Sequence, residues 1–157
     1  MAGQNQLIQL LSQLTGADTE QEDLLWARIK SFDGAQLLPA LRDFYRSCRL
    51  YNIRLAVIGV AFQYAKDSNL VYQLMLEALK DRSKWVRCTA CGALACLLKR
   101  EAIFFLKHAR RRYKDRETLS SIDAAIDAIA HQNQHYFVDR AHSGKGFYYF
   151  YSQKWQP

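Results

Sequence analysis

A chain of 157 residues fits one domain. Half of it is apolar with only seven Gly and two Pro, which excludes a disordered chain and one rich in turns. No apolar run reaches the ~18–20 residues of a membrane span, and the N-terminal MAGQNQLIQLLSQL lacks the basic start of a secretory signal, so a cytoplasmic location without a membrane partner is the expectation. The net charge of +7 is concentrated: residues 80–116 hold twelve Lys and Arg against three Asp and Glu, a field that attracts acidic proteins, nucleic acids or anionic surfaces.

In chain order, Leu7, Ile8, Leu10, Leu11 and Leu14 share one face of a helix that Gly16 ends. Thr19 with Glu22 reads as a capping box for a second helix through about Ser31. Asp33 with Gln36 signals the next helix, through Leu37, Leu41, Phe44 and Tyr45 to about Cys48, and Pro39 places its first turn nearer Leu37. Asn52 can cap the following helix, which ends near Lys66, and Ser83 the one after Asp81. Only Lys99, Arg100 and Glu101 separate Leu98 from Ala102, so that reversal must be short. After Gln132, His135–Arg140, a turn over 141–146 and Phe147–Tyr151 read as an aromatic β-hairpin, with a further helix as the rival reading.

The strongest internal signal is a repeat. Residues 52–65, 85–98 and 118–131 superpose at a shift of 33 without gaps. Ile53, Val86 and Leu119 make one apolar column, Ile58, Cys91 and Ala124 another, and Gly59, Gly92 and Ala125 keep a third small. Gly within a helix costs about 1 kcal/mol against Ala, and close helix–helix approach is the expected reason for accepting it twice. Helix–turn–helix content at such a period is the mark of stacked repeats that supply one another's core.

Asp81 in the turn, Val86 and Arg87 opening the second helix, and Ala90, Ala93 and Leu94 within it resemble a HEAT repeat, over roughly Leu37 to His131. The resemblance implies an all-α fold, a short right-handed α–α solenoid of about four helical hairpins. Residues 1–33 would form an N-terminal capping pair, 34–66, 67–99 and 100–131 the repeats of a domain spanning 1–131, and 132–157 an aromatic tail on the last repeat, as a small β-hairpin or extended. In that family the turn Asp and the helix Arg form a ladder between repeats. Only the central copy carries both here, since Cys48 and Ser120 stand at the corresponding places.

Catalytic signals are poor. Cys88 and Cys91 form a C-x-x-C, but inside a helix and in columns held elsewhere by Leu55 and Ile58, which favours small core residues over metal or redox chemistry. Ser143 in HSGKG matches neither a nucleophile elbow nor a phosphate loop. His131, His135 and His142 cluster along the chain without being assigned to a site. No catalytic residue, metal or cofactor is expected.

Binding is the function that remains. Lys107, Arg110, Arg111, Arg112, Lys114 and Arg116 crowd one helix end beyond what favourable charge at a C-terminus accounts for, and three consecutive arginines span so much of a helix that one should reach another element or a partner. Arg54, Lys84 and Arg87, with Asp123 and Asp127, occupy positions that in HEAT-like proteins approach the concave face, where they either bridge repeats or meet a partner. In the tail, Tyr148, Tyr151 and Trp155 belong to a face that would be exposed once its neighbours cap the core. The resemblance implies a non-enzymatic protein–protein interaction module with an acidic partner, such as an inhibitor or immunity protein. The alternative is a nucleic-acid-binding or DNA-glycosylase-like protein with a basic concave face, for which Trp85 with Asp123 or Asp127 would be the candidate residues.

Overall fold

A computed structural model describes residues 2–65 and 67–144. Among these the fold is all-α, with eight α-helices, two short 3-10 turns and no strand. No described helix is long and apolar enough to cross a membrane. The chain divides into two compact units, Met1–Leu74 and Met75–Pro157.

In the first unit, α1 (Ala2–Gln13) runs into a 3-10 turn (Leu14–Gly16), followed by α2 (Thr19–Ile29), α3 (Gly34–Ser47) and α4 (Tyr51–Ala65). Helix α1 packs on α2 and α3, and α3 on α4. Leu7, Leu11, Leu14, Ile29, Leu37, Leu41 and Ile53 are fully buried; each such side chain contributes about 1.5–3 kcal/mol of transfer free energy. The capping box sits one residue earlier than expected. Asp18, not Thr19, accepts from the Gln21 N–H at 2.9 Å, and the Gln21 side chain returns to the Asp18 N–H. Asp33 does cap α3, through the Ala35 N–H at 3.2 Å, but the helix starts at Gly34, so Pro39 is its sixth residue rather than part of its first turn. Asn52, expected to cap the next helix, is the second residue inside α4 rather than the residue before it. The division between the units falls within α5 (Asn69–Ala78).

The second unit continues with α6 (Lys84–Leu97), α7 (Ala102–Arg110), α8 (Arg116–Ala130) and a 3-10 turn (Gln134–Phe137). Helix α8 is its hub, packing on α6, α7 and the 3-10 turn, which also reaches α6. The buried faces are made largely of small residues, Ala90, Ala93 and Ala95 on α6 and Ala124, Ala125 and Ala128 on α8, around Val86, Leu94, Leu106, Ile122 and Ile129. Ser83 stands at the N-cap position of α6 without a side-chain cap bond; its N–H goes instead to Asp81 Oδ1 at 2.8 Å.

Two further expectations change. The stretch expected as the first tail strand, 135–140, is not extended: Gln134–Phe137 is helical, with Asn133 capping it through the His135 N–H. The second strand, 147–151, lies outside the described residues. Gly92 is small for a reason other than helix–helix approach, because a Cβ there would lie 3.1 Å from the Phe137 ring. The chain that returns over α6 after α8 needs that space.

Candidate functional site

Site geometry begins in the turn before α6. Tyr113 donates its hydroxyl to the Leu79 carbonyl at 3.0 Å and lays its ring 4.2 Å from the Arg87 guanidinium. Arg87 is buried and fully engaged: Nη1 donates to the carbonyls of Asp81 (2.8 Å) and Arg82 (3.1 Å), Nε to Thr118 Oγ1 (3.1 Å) and Nη2 to Asp115 Oδ2 (2.8 Å). Asp115 serves twice, since it also caps α8 through the Thr118 N–H. Burial alone would raise its carboxyl, but the Thr118 bonds and the Arg87 charge together hold it below the ordinary carboxylate value. Arg54 holds its own turn in the same way in the first unit: it is buried, and Nη1 donates to the carbonyls of Cys48 (3.1 Å) and Arg49 (2.8 Å). Both arginines, read from the sequence as bridging repeats or meeting a partner, are buried in the fold with their donors on turn carbonyls.

Two more expected site residues are paired across α8. Lys84 Nζ lies 2.7 Å from Glu117 Oε1, a contact that raises the lysine and lowers the acid. Arg110 is the arginine of its run that reaches another element, gripping Asp123 with Nε at 2.6 Å and Nη2 at 3.1 Å, and the Asp123 hydrogen bond raises the guanidinium further. Lys107, Arg111, Arg112, Lys114 and Arg116 are all exposed. None of these five has an ion pair among the described residues, and four of them stand within the α7–α8 corner. Beside them α7 exposes Phe104 (71%) and Phe105 (42%), whose rings meet edge to face.

Lys114 and Arg116 also line an open cleft of about 640 Å³ with Leu119, Ser120, Asp123 and Asp127, closed on its far side by Arg140 and His142. The chain after α8 builds that far wall. Arg140 pins it to α8, donating from Nη1 to the Ser120 carbonyl (2.8 Å) and hydroxyl (2.5 Å). Asp139, also buried, folds the following turn by accepting from the Ser143 N–H (2.9 Å), the Ser143 hydroxyl (2.9 Å) and the Gly144 N–H (2.6 Å). The Ser143 N–H is the largest cause of its lowered carboxyl. His142 is thereby held with Nε2 2.7 Å from Asp127 Oδ2 and its ring stacked on Tyr136 at 3.6 Å.

No family model, curated protein or solved structure matches this chain. Function must therefore be argued from the residues themselves. The second unit brings Lys84, Arg87, Arg110, Lys114, Arg116, Asp123 and Asp127 onto or beside α8 and leaves Arg54 in the other unit. Tyr148, Tyr151 and Trp155 lie outside the described residues. The four cysteines form no disulfide; of the pair expected in the core, Cys91 is buried, and that burial raises it well above the ordinary thiol value, while Cys88 is half-buried. Sequence reasoning missed Arg140 and His142 as site residues. Their roles depend on the turn at Asp139, and an Asp followed by Ser and Gly four and five residues on was the one local hint of it.

Proposed function

We propose that this chain is a non-enzymatic binding protein whose second unit presents the α7–α8 corner to an acidic surface on another protein. The carrying observation is the contrast within the basic segment: Lys84, Arg87 and Arg110 are spent on internal partners, whereas Arg111, Arg112, Lys114 and Arg116 stand exposed with no acidic partner among the described residues. Phe104 and Phe105 supply aromatic area beside these arginines, and aromatic residues and Arg are the types enriched where proteins meet. We read the helical pairs as a short HEAT-like solenoid. Supporting this, Arg54 and Arg87 stand 33 residues apart and bond the carbonyls five and six residues before them in the same way. An inhibitor or immunity-type role, in which a preformed surface occludes its target with little ordering on binding, suits such a scaffold.

Nucleic-acid binding is the competing reading, because the exposed Arg111, Arg112, Lys114 and Arg116 suit a phosphate backbone as well as an acidic protein surface. The test is a variant in which Arg111, Arg112, Lys114 and Arg116 become Ser, its fold checked by circular dichroism. The protein-partner reading expects a partner retained by the wild type and lost by the variant, with no duplex DNA binding at physiological salt. Duplex binding that weakens steeply with salt, with a slope reduced in the variant, would overturn it.

A further inference from the structure

The groups joining α8 to the chain beyond it do more than close a turn. Asp127 and His131 are four residues apart on the last turn of α8 and so share a face. His131 Nδ1 lies 3.1 Å from Asp127 Oδ1, His142 Nε2 lies 2.7 Å from Asp127 Oδ2, and one ligand atom from each of the three side chains falls within 4.8 Å of the others. Nitrogen and oxygen atoms around one metal ion at ~2.0–2.1 Å stand about 3 Å apart, so the two acid–imidazole distances already match and any wider pair of the three must close to that spacing.

The arrangement is held rather than incidental. His142 has a left-handed φ of +53, as does Gln132, the residue that follows His131. Such conformations cost about 1–3 kcal/mol in a residue other than Gly and persist where the surroundings over-determine them. The surroundings here are the three bonds to Asp139, the Arg140 anchor on Ser120 and the Tyr136 ring stacked on His142. His131 completes the group edge-on to both rings, 5.4 Å from Tyr136 and 5.2 Å from His142. Asp127 and His142 both line the cleft, so the group opens on solvent and leaves room for non-protein ligands.

We propose that Asp127, His131 and His142 form a binding site for a divalent first-row transition metal ion, with one carboxylate oxygen and two imidazole nitrogens as protein ligands and the remaining positions open to the cleft. Two imidazoles with a carboxylate suit Zn²⁺, Co²⁺ or Fe²⁺ better than Mg²⁺ or Ca²⁺, which take oxygen ligands. Imidazole nitrogens and carboxylates bind an ion only through atoms that carry no proton, so metal binding is coupled to pH. A purely structural role for the cluster, two imidazoles paired with one acid, is the outcome that the experiment must separate.

The whole chain, reduced and free of metal, is titrated with Zn²⁺ by calorimetry and with Co²⁺ by absorption. The expected result is one equivalent bound, with cobalt bands of nitrogen and oxygen ligation and ring shifts at His131 and His142 in NMR spectra. The His142→Ala and His131→Ala variants should each weaken binding by about tenfold or more, since even supporting partners of metal ligands are worth that much. His135→Ala, which changes a neighbouring histidine outside the cluster, should bind as the wild type does. A thiolate-to-cobalt band would move the ion to the cysteines and overturn the proposal, as would zinc binding unchanged in both histidine variants or absent from the folded wild type.

Discussion

Arg54 in the first unit and Arg87 in the second hold the turn before their helix in the same way, and two kinds of bond meet at Arg87. Each donates from Nη1 to the two carbonyls of the turn before its helix. Arg87 then adds Thr118, Asp115 and the Tyr113 ring. The first bond set stays within one turn and its helix. The second reaches forward to the end of the α7–α8 corner and the start of α8, so it depends on residues far along the chain.

Replacing Arg87 is the strongest way to test that difference. Arg87→Ala leaves Asp115 without its cation and two turn carbonyls without donors, and should lower stability in urea unfolding by about 3 kcal/mol, the range for breaking a buried ion pair. Gly92→Val should come next at about 2 kcal/mol, because the added side chain meets Phe137 and forces overpacking; loss of the Phe137 contact, read by nuclear Overhauser effects to α6, should accompany it. Arg54→Ala takes donors from the Cys48 and Arg49 carbonyls and should cost at least about 1 kcal/mol, the net value of a typical hydrogen bond; an unchanged urea midpoint would mean that these bonds do not hold the turn.

Asp115→Asn keeps a capping side chain and removes the charge that faces the buried Arg87 guanidinium. The folded-state carboxyl lies below its ordinary value, so its contribution is present above about pH 4 and is lost as pH falls through the lowered folded value. The gap in urea midpoint between wild type and variant should therefore close on acidification below pH ~4; a gap independent of pH would mean that the charge is not what Asp115 contributes. Least of all, Lys84→Ala should leave the unfolding midpoint unchanged within error, since the Lys84–Glu117 pair lies in solvent where ion pairs gain little.

The helices were legible because apolar spacing and the 33-residue period act locally: α4, α6 and α8 start at Tyr51, Lys84 and Arg116, close to the register read from the columns. Cap residues were less so. Asp18 with Gln21 and Thr19 with Glu22 are equally good capping boxes on paper, and only the path of the chain chooses between them. The basic cluster was visible as composition, but which cations are engaged depends on side chains that meet across α8, such as Arg110 and Asp123. The tail was misread over 135–140 because aromatic, β-favouring residues there are folded by Asn133 and Asp139 through side-chain bonds to nearby N–H groups, a local alternative that strand propensity does not register.

Leu98 and Gln132 end α6 and α8 with the same left-handed twist, and the Gln132 amide donates to the Leu98 carbonyl at 3.0 Å. Two helix exits are thus buttoned together by residues that both sit in torsional discomfort. Glycine at 98 would ease that discomfort and leave the tether intact, whereas glycine at 132 would ease it and cut the tether, so the two swaps offer an engineer opposite outcomes from one shared backbone shape.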